Sequence, residues 1–417
     1  MTNSTRAAEG SPPLAKLSML SAFQYRDFRF LWYSNLFATA GNWVQQVTLG
    51  WLMYEMTGSA LLVGALQGAR AFPFLLAGPV GGVLSDRFDR RKLLLANQVF
   101  LGVTALGFAI LVSTGRAQVW HLLAFATLSG AGWAINNPVR QAVVADIVPR
   151  HTLMNAIAMN SVAFNFNRMA GPAAGGLLIA FFGPGTNFFI QAACYLGVAT
   201  MVLPMHIRPR DVTAARRESP LSNLKEGINH VMKHEATLAL ILIAMIPSLL
   251  VMPFANGLMP VFAKDVLHTG PEGLGLLLSM MGVGGLLGAL AVATLGQFRW
   301  RGLLQLGAGA LAGLGLIGLA GATNMAVAMA PIVVVGAAEM CFSAINNNAL
   351  QEITPDALRG RVMSIYMMDH GLVPLGGLLA GILADVWGAP VAVLVAGALT
   401  TSLMLMAGIR FKTIRSL

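Results

Sequence analysis

The sequence predicts an all-α membrane protein with twelve transmembrane helices in two pseudo-symmetric six-helix halves. Three observations predict this fold class: the scarcity of charge, the length of the uncharged stretches, and a sequence repeat. Of the 417 residues, 56% are hydrophobic and only 11% are charged, and the mean hydropathy is +0.69. A soluble domain carries about 25% charged residues. So few charges cannot cover a water-facing surface, and a bilayer is therefore the expected solvent.

The uncharged stretches are long enough to cross a membrane, which takes about 20 mostly apolar residues. Two of them, 169–207 and 302–338, exceed one span and are each divided by a short turn. The runs are continuously apolar and do not alternate, which disfavours a β-barrel. We expect helices 1 to 12, in chain order, near residues 30–55, 59–85, 93–113, 118–144, 153–182, 186–206, 236–262, 272–296, 303–322, 325–350, 362–385 and 388–409.

The basic residues are distributed unevenly around these spans. If the N-terminus is cytoplasmic, all but five of the 27 Lys and Arg residues fall in cytoplasmic segments, the exceptions being Arg70, Arg116, Arg140, Arg168 and Lys264. This asymmetry predicts that both termini are cytoplasmic. The net charge of +10 then reflects topology and attraction to anionic lipid, and no nucleic-acid partner is expected.

The two halves of the chain resemble each other. "AINNPVRQ" (Ala134–Gln141) recurs as "AINNNALQ" (Ala344–Gln351), and "GPAAGGLL" in the first half has a counterpart, "VPLGGLL", in the second. Such halves commonly enclose a binding site at the middle of the membrane. The expected organisation is a cytoplasmic N-terminal tail, an N-terminal half, a cytoplasmic linker, a C-terminal half and a cytoplasmic tail, at residues 1–25, 26–207, 208–235, 236–410 and 411–417.

No catalytic motif is evident in the sequence. Cys194 and Cys341 both fall in predicted spans, where they favour neither a disulfide framework nor a zinc site. There is no Gly-rich phosphate loop, metal-ligand cluster or nucleophile elbow. We therefore expect no cofactor, no metal, no enzymatic activity and no ATPase domain on this chain. The first twenty residues also lack the pattern of a removable signal peptide.

The segment between helices 2 and 3 concentrates six charged residues within Asp86–Lys92. Its pattern, Gly82-x-Leu84-Ser85-Asp86-Arg87-x-x-Arg90-Arg91, resembles the helix 2–3 signature of the major facilitator superfamily, with Asp89 where that signature usually has Gly. The resemblance implies that Asp86 faces the positive N-terminal end of helix 11 and joins a charge cluster that closes the cytoplasmic side in the outward-open state. Alternatively, the loop only fixes the topology. The predicted latch consists of Gly82, Asp86, Arg87, Arg90, Arg91 and Asp146.

Helix 5 carries a second motif. Its Gly171-Pro172-x-x-Gly175-Gly176 sequence resembles the core of a motif found in proton-driven antiporters of this superfamily. Proline kinks a helix, and glycines allow a second helix to approach closely. Ordinary glycine-mediated packing is the alternative. The Arg-rich helix 4 motif of such antiporters is absent near Leu128–Trp133.

Over residues 25–410 the chain is similar to the drug:proton antiporter branch, which includes enterobactin-type siderophore exporters and macrolide efflux proteins. "FRFLW" (Phe28–Trp32), the helix 2–3 loop and "LRGRVMS" (Leu358–Ser364) contribute most to this similarity. The resemblance implies a monomeric, multi-pass protein of the cytoplasmic (inner) membrane that exports an amphiphilic small molecule, siderophore or drug-like, by proton antiport and alternating access. Its partners would be the substrate, protons and membrane lipids. A superfamily importer or lysolipid flippase, and a non-transporting receptor or enzyme, are the alternatives.

Polar residues inside the spans are the remaining candidates. Ionisable groups in a membrane are costly and mark transport pathways, and an imidazole beside a carboxylate can relay protons near neutral pH. A static buried ion pair of an arginine with Glu339 or Asp369 is the alternative. The proton-coupling candidates are Arg70, Arg168, Glu339, Asp369 and His370.

Several amides occupy predicted cavity helices. Asn42, Gln45 and Gln46 share one face of helix 1 because they are three and four residues apart. Asn136, Asn137, Asn346 and Asn347 lie in the repeated segments of helices 4 and 10. In the superfamily, helices 1, 4, 7 and 10 line the cavity, so these amides are candidates for substrate binding. They could equally bond neighbouring helices to each other.

Overall fold

A computed structural model describes residues 20–207, 220–295 and 300–415, with only the backbone described for residues 74–87, 220–224, 357 and 370. Every regular element in these ranges is helical. Seven of the helices have the length and hydropathy of a membrane span.

A helix occupies each of the twelve predicted positions, and most boundaries lie within a few residues of the expected ones. We keep the numbers of the predicted spans. Their bounds are Arg26–Thr57, Ala60–Arg87, Arg90–Ser113, Val119–Ile147, Arg150–Phe182, Pro184–Val202, Glu235–Val266, Pro271–Leu295, Arg301–Ala320, Met325–Ile353, Asp356–Trp387 for the three consecutive segments of helix 11, and Ala389–Arg410.

Local signals in the sequence set these boundaries. Helix 1 ends at Gly58, whose φ of 62° is in the left-handed region that glycine adopts without a Cβ penalty. Helix 3 begins after Asp89, whose carboxylate accepts the backbone N–H groups of Arg91 and Lys92 at 2.9 and 3.3 Å. Helix 10 begins after Asn324, which accepts from the Val327 N–H. Both side chains satisfy amides that would otherwise lack a partner.

Helices 7 and 11 depart from the regular helices predicted for them. Helix 7 is α-helical to Ile246 and then forms wider π-helical turns at Pro247–Val251, Pro253–Gly257 and Phe262–Val266, with a short α-helical stretch at Met259–Val261. Its prolines lack the N–H that a regular helix needs. Helix 11 is interrupted by a 3₁₀ segment, Met368–Leu372, between two α-helical parts.

Helices 1–6 and helices 7–12 repeat the same packing. Helix 2 packs on helix 4 and helix 8 packs on helix 10, while helix 3 contacts helices 4 and 6 as helix 9 contacts helices 10 and 12. One hydrogen bond also recurs: Gln98 donates to Asn136 at 3.1 Å, and Gln305 donates to Asn346 at 2.6 Å. Asn136 and Asn346 are equivalent residues of the sequence repeat.

The two groups of six helices meet mainly through two helix pairs, helix 2 with helix 11 and helix 5 with helix 8. Glycines bring these backbones together. A Cβ at Gly64 would collide with the Gly377 carbonyl, and one at Gly176 would collide with the Pro271 carbonyl. Larger residues would force the helices apart at these points.

The polar linker contains a helix. Residues 208–219 lie outside the described part, and Pro220–Lys233 then form what we call the linker helix. It packs on helix 11, where Arg361 pairs with Glu226 at 2.6 Å and Ile365 lies against Gly227. The linker helix therefore contacts the second group of helices.

Candidate functional site

Polar side chains run between the two groups of helices from one end of the protein to its middle. We call the end with the helix 2–3 loop the basic end and the other the opposite end. At the opposite end, Asp385 near the end of helix 11 caps the start of helix 2. Its carboxylate accepts from Ser59 Oγ at 2.9 Å and from the backbone N–H groups of Ala60 and Leu61 at 2.7 and 3.2 Å.

A second contact at this end joins helix 1 to helix 7, because the Tyr54 hydroxyl donates to the Asp265 carboxylate. Nearer the middle, the Ala173 N–H of helix 5 donates to Ser279 Oγ of helix 8 at 2.9 Å. The hydrogen bonds found between described residues of the two helix groups thus lie at the opposite end and in the middle. These hydrogen bonds hold the two helix groups together at the opposite end and in the middle.

An ion pair between the groups lies deeper. Arg168 of helix 5 contacts Glu339 of helix 10 at 3.3 Å, and the two side chains are only 12% and 11% exposed. Arg168 is also close to Gly282 and Gly285 of helix 8. The structure therefore brings together two of the candidates for proton coupling, in the arrangement that the ion-pair alternative describes.

Asp369 lies where helix 11 is interrupted. Its side chain is 8% exposed and accepts a hydrogen bond from Ser248 Oγ at 3.1 Å. Ser248 belongs to a π-helical turn of helix 7, so the irregular parts of two helices face each other. Tyr366 lies within electrostatic reach of both Asp369 and Glu339. The side chain of His370 is outside the described residues, and its pairing with Asp369 remains a prediction.

A polar network fills the interior of helices 1–6. Arg70 donates to Asn42 Oδ1 at 2.6 Å. Gln45 donates to Ser129 Oγ at 2.8 Å and accepts from Gln191 at 2.5 Å. Gln191 and Trp133 in turn donate to the Tyr195 hydroxyl at 3.3 and 3.2 Å.

At the basic end, the latch residues are described in part. Arg90 pairs with Asp146 at 2.5 Å, across helices 3 and 4, and the Arg91 guanidinium donates to the Leu203 carbonyl at the end of helix 6. The backbone of Gly82, Asp86 and Arg87 forms the end of helix 2, but their side chains lie outside the described residues. The contact of Asp86 with helix 11 therefore remains a prediction.

The predicted substrate-binding amides divide into two sets. Gln45, Asn136 and Asn346 are fully buried, and each bonds a neighbouring helix of its own group. These hydrogen bonds are the helix–helix contacts that the second alternative describes, and substrate binding by these amides remains a prediction. The partly buried amides are Asn42, Gln46, Asn137 and Asn347, of which Asn42 bonds Arg70 and Asn347 accepts from Gln351.

The helix 5 motif lies between helix 1 and helix 8. A Cβ at Gly171 would collide with the Trp43 side chain, and Gly175 lies against Val44. On the other side, Gly176 and the Pro172 carbonyl contact Gly275 of helix 8. The motif is thus part of the contact between the two helix groups.

The sequence reasoning missed three features of this pathway: the Asp385 cap, the Tyr54–Asp265 contact and the burial of Arg140. Asp385 and Asp265 are isolated carboxylates at the ends of apolar spans, and that isolation was the available signal. Arg140 was placed near the cytoplasmic end of helix 4, yet its side chain is buried and donates to Ser34 of helix 1 at 2.9 Å.

The fold is shared with solved structures of membrane transporters. The structure matches the crystal structure of a point mutant of the nucleoside transporter NupG with a TM-score of 0.79, over 93% of this chain and 100% of the NupG chain, at 11% identity. It matches a D-xylose-proton symporter with a TM-score of 0.73 over 96% and 100% of the two chains, at 16% identity. The sequence of residues 17–416 matches the transmembrane secretion effector family, and the chain belongs to that family.

Relatives of known function span nearly the same length. The chain is 28% identical to the staphyloferrin A transporter of Staphylococcus aureus (strain NCTC 8325 / PS 47) over 86% of this chain and 90% of that one. It is 26% identical to the multidrug efflux pump Tap of Mycolicibacterium fortuitum, over 85% and 88%. It is 22% identical to macrolide efflux protein A of Streptococcus pyogenes, over 86% and 89%.

Proposed function

We propose that this protein is a secondary active exporter of amphiphilic small molecules, siderophore or drug-like, across the cytoplasmic membrane by proton antiport. The observation that carries the proposal is the buried Arg168–Glu339 pair between the two helix groups. Because the pair joins the two helix groups, a carboxylate that can take up a proton forms part of the contact that must break when the groups move apart. The relatives named as efflux proteins support the direction of transport, and the staphyloferrin A transporter supports a siderophore-like substrate.

The orientation follows from the basic residues. The basic end faces the cytoplasm, so the end closed by Asp385 faces outward. In this conformation the substrate would enter from the cytoplasm between the two six-helix halves. Outward release would require the Asp385 and Tyr54 contacts to break and the predicted Asp86 latch to form at the cytoplasmic end.

Proton coupling would use Asp369 or Glu339. Protonation of Glu339 removes the charge that holds Arg168 and weakens the contact between the halves. Asp369 lies where helix 11 is interrupted, and irregular helix turns are frequent at functional sites. Either carboxylate could bind a proton from outside and release it inside as the halves rearrange.

Everted membrane vesicles test this proposal. Their interior corresponds to the outside of the cell, so an acidic interior should drive accumulation of the cationic dye ethidium, the anionic dye carboxyfluorescein, or both. Nigericin, which collapses the pH gradient, should abolish the accumulation, and vesicles without the protein give the background. Accumulation of neither dye would contradict the proposal. Uptake only into right-side-out vesicles would indicate the importer alternative.

A further inference from the structure

Arg70 and Arg140 are cations inside the N-terminal half, and the described part of the chain gives neither of them a carboxylate partner. Among the described residues, Arg70 bonds only Asn42, and Arg140 bonds only Ser34. Arg140 is 7% exposed, and its Nε and Nη2 atoms are buried with no partner in the described part of the chain. Arg168, in contrast, has Glu339 as its partner. Among residues whose side chains are described, Arg168 thus has a counter-charge, whereas Arg70 and Arg140 have none.

Both guanidinium groups contact helix 1, Arg70 through Asn42 and Arg140 through Ser34. Arg70 is held in place because its backbone packs against Gly130 of helix 4, where any Cβ would collide with the Arg70 carbonyl. Arg70 itself is partly exposed, and it can therefore meet a ligand without unfolding the surrounding network.

An unpaired charge in a membrane span is costly, and such residues almost always have a partner. Amide and hydroxyl oxygens are weaker partners for a guanidinium than a carboxylate, which can accept two parallel hydrogen bonds. Since the described residues place no carboxylate in contact with either guanidinium group, the partner is expected to come from a ligand.

We propose that Arg70 binds an anionic carboxylate group of the transported molecule, and that Arg140 supplies a second positive charge nearer the basic end. The inference rests on the proposed export function and assigns its substrate class: amphiphilic organic acids. Arg140 lies about six helical turns from the start of helix 4 at the opposite end, and Arg70 lies about three turns from the start of helix 2 at the same end. A carboxylate entering from the basic end would thus meet Arg140 first.

The test compares binding of carboxyfluorescein and of ethidium to the purified full-length protein by fluorescence polarisation. Arg70→Gln should weaken carboxyfluorescein binding about tenfold or more, since hydrogen bonds to charged groups are the strong ones. Ethidium binding should stay equal or tighten, because a repulsive charge has been removed. Arg70→Lys, which keeps the charge but loses the bidentate geometry, should give an intermediate loss. Arg140→Gln should also weaken binding of the anionic dye.

Arg116→Gln is the matched control, because it removes the same charge from an exposed loop at the opposite end. It should change the binding of neither dye.

An equal loss of binding of both dyes in Arg70→Gln would assign Arg70 a structural role and overturn the inference. Failure of the wild-type protein to bind carboxyfluorescein would also overturn it. If Arg70→Gln does not fold, the binding of the two dyes by the Arg70→Lys variant is compared in the same way and tests the inference. Gradient-driven ethidium accumulation without carboxyfluorescein binding would overturn only this inference, whereas accumulation of neither dye would contradict the export function itself.

Discussion

Glu339 and Asp369 are both buried carboxylates of the C-terminal half, but they have different surroundings. Glu339 faces the cation Arg168 of the other half, whereas Asp369 accepts from the neutral Ser248 hydroxyl of its own half. Glu339 links the two halves through its ion pair with Arg168. We therefore propose Asp369 as the residue that carries the proton and Glu339 as the residue that holds the halves together.

Asp369→Asn should therefore abolish accumulation driven by the pH gradient while dye binding stays within about threefold of wild type. Asparagine keeps the shape and the acceptor oxygen but cannot titrate. Glu339→Gln should behave differently and lower binding and the yield of folded protein together, because removing one partner of a buried pair costs about 3–5 kcal/mol. The measurements are dye accumulation in everted vesicles and polarisation on the purified protein. Gradient-driven accumulation retained by Asp369→Asn would exclude it as the proton carrier.

The latch prediction concerns Asp86. Asp86→Asn should slow transport and shift the protein toward the conformation that is open to the cytoplasm, because the outward-open state loses a charge interaction with helix 11. Conformers that differ by a few kcal/mol are redistributed by losses of that size. Energy transfer between dyes at the basic ends of helices 5 and 10 reports the shift as a lower mean efficiency.

Asp89→Asn is the control for this experiment. It removes the same charge three residues away, and asparagine caps a helix about as well as aspartate, so the Asp89 cap of helix 3 is kept. Equal effects of the two variants would mean that the loop acts through its net charge alone and that Asp86 is not a latch.

At the scale of elements, the linker helix contains His230, which stacks on His234 just beyond the end of that helix, and this contact makes the packing of the helix dependent on pH. His230 is buried and stacks on His234 with ring centroids 4.0 Å apart. Burial, and secondarily the neighbouring His234, lower the pKa of His230. The packed state thus opposes protonation. The contribution of His230 to the stability of the packed helix is fully present above the ordinary histidine pKa of about 6.5. This contribution is lost as the pH falls toward the lower pKa of the packed state.

Hydrogen–deuterium exchange of residues 225–233 should therefore be faster at pH 5.5 than at pH 7.5, after correction for the intrinsic exchange rate. His230→Asn cannot be protonated and should remove most of this difference. His234→Gln should leave the greater part of it, because burial is the main cause of the lowered pKa. Equal protection of the wild-type helix at both pH values would contradict the prediction.

The helices could be predicted closely because their signals are local: uncharged length, capping residues and prolines act within a few residues of each boundary. The interruption of helix 11 was missed because Gly371 and Pro374 are also tolerated in continuous membrane helices. The Asp385 cap was missed for a different reason. Its partners lie 324 to 326 residues away in the chain, and no local pattern indicates which helix ends will meet. The amides at the repeated positions were found, but their burial depends on neighbouring helices.

At the scale of the whole molecule, helices 2 and 11 form a reciprocal arrangement. The family resemblance implies that Asp86, near the end of helix 2, faces the start of helix 11 at the cytoplasmic end. In the structure, Asp385 lies near the end of helix 11 and caps the start of helix 2 at the opposite end. We propose that these two contacts alternate as the halves rock, so that one end closes when the other opens.

The most direct test is the distance between spin labels at Arg116 and Thr323, two exposed positions of the opposite end in different halves. Double electron–electron resonance should find one dominant, short distance in the wild-type protein. In Asp385→Ala, loss of a helix cap worth about 1 kcal/mol should raise the ratio of a longer, open population to the closed one about fivefold. Asp385→Asn should stay close to wild type, because asparagine still caps helix 2. A distance distribution unchanged in Asp385→Ala would contradict the account, since the end of helix 11 would then play no part in closing the outer side.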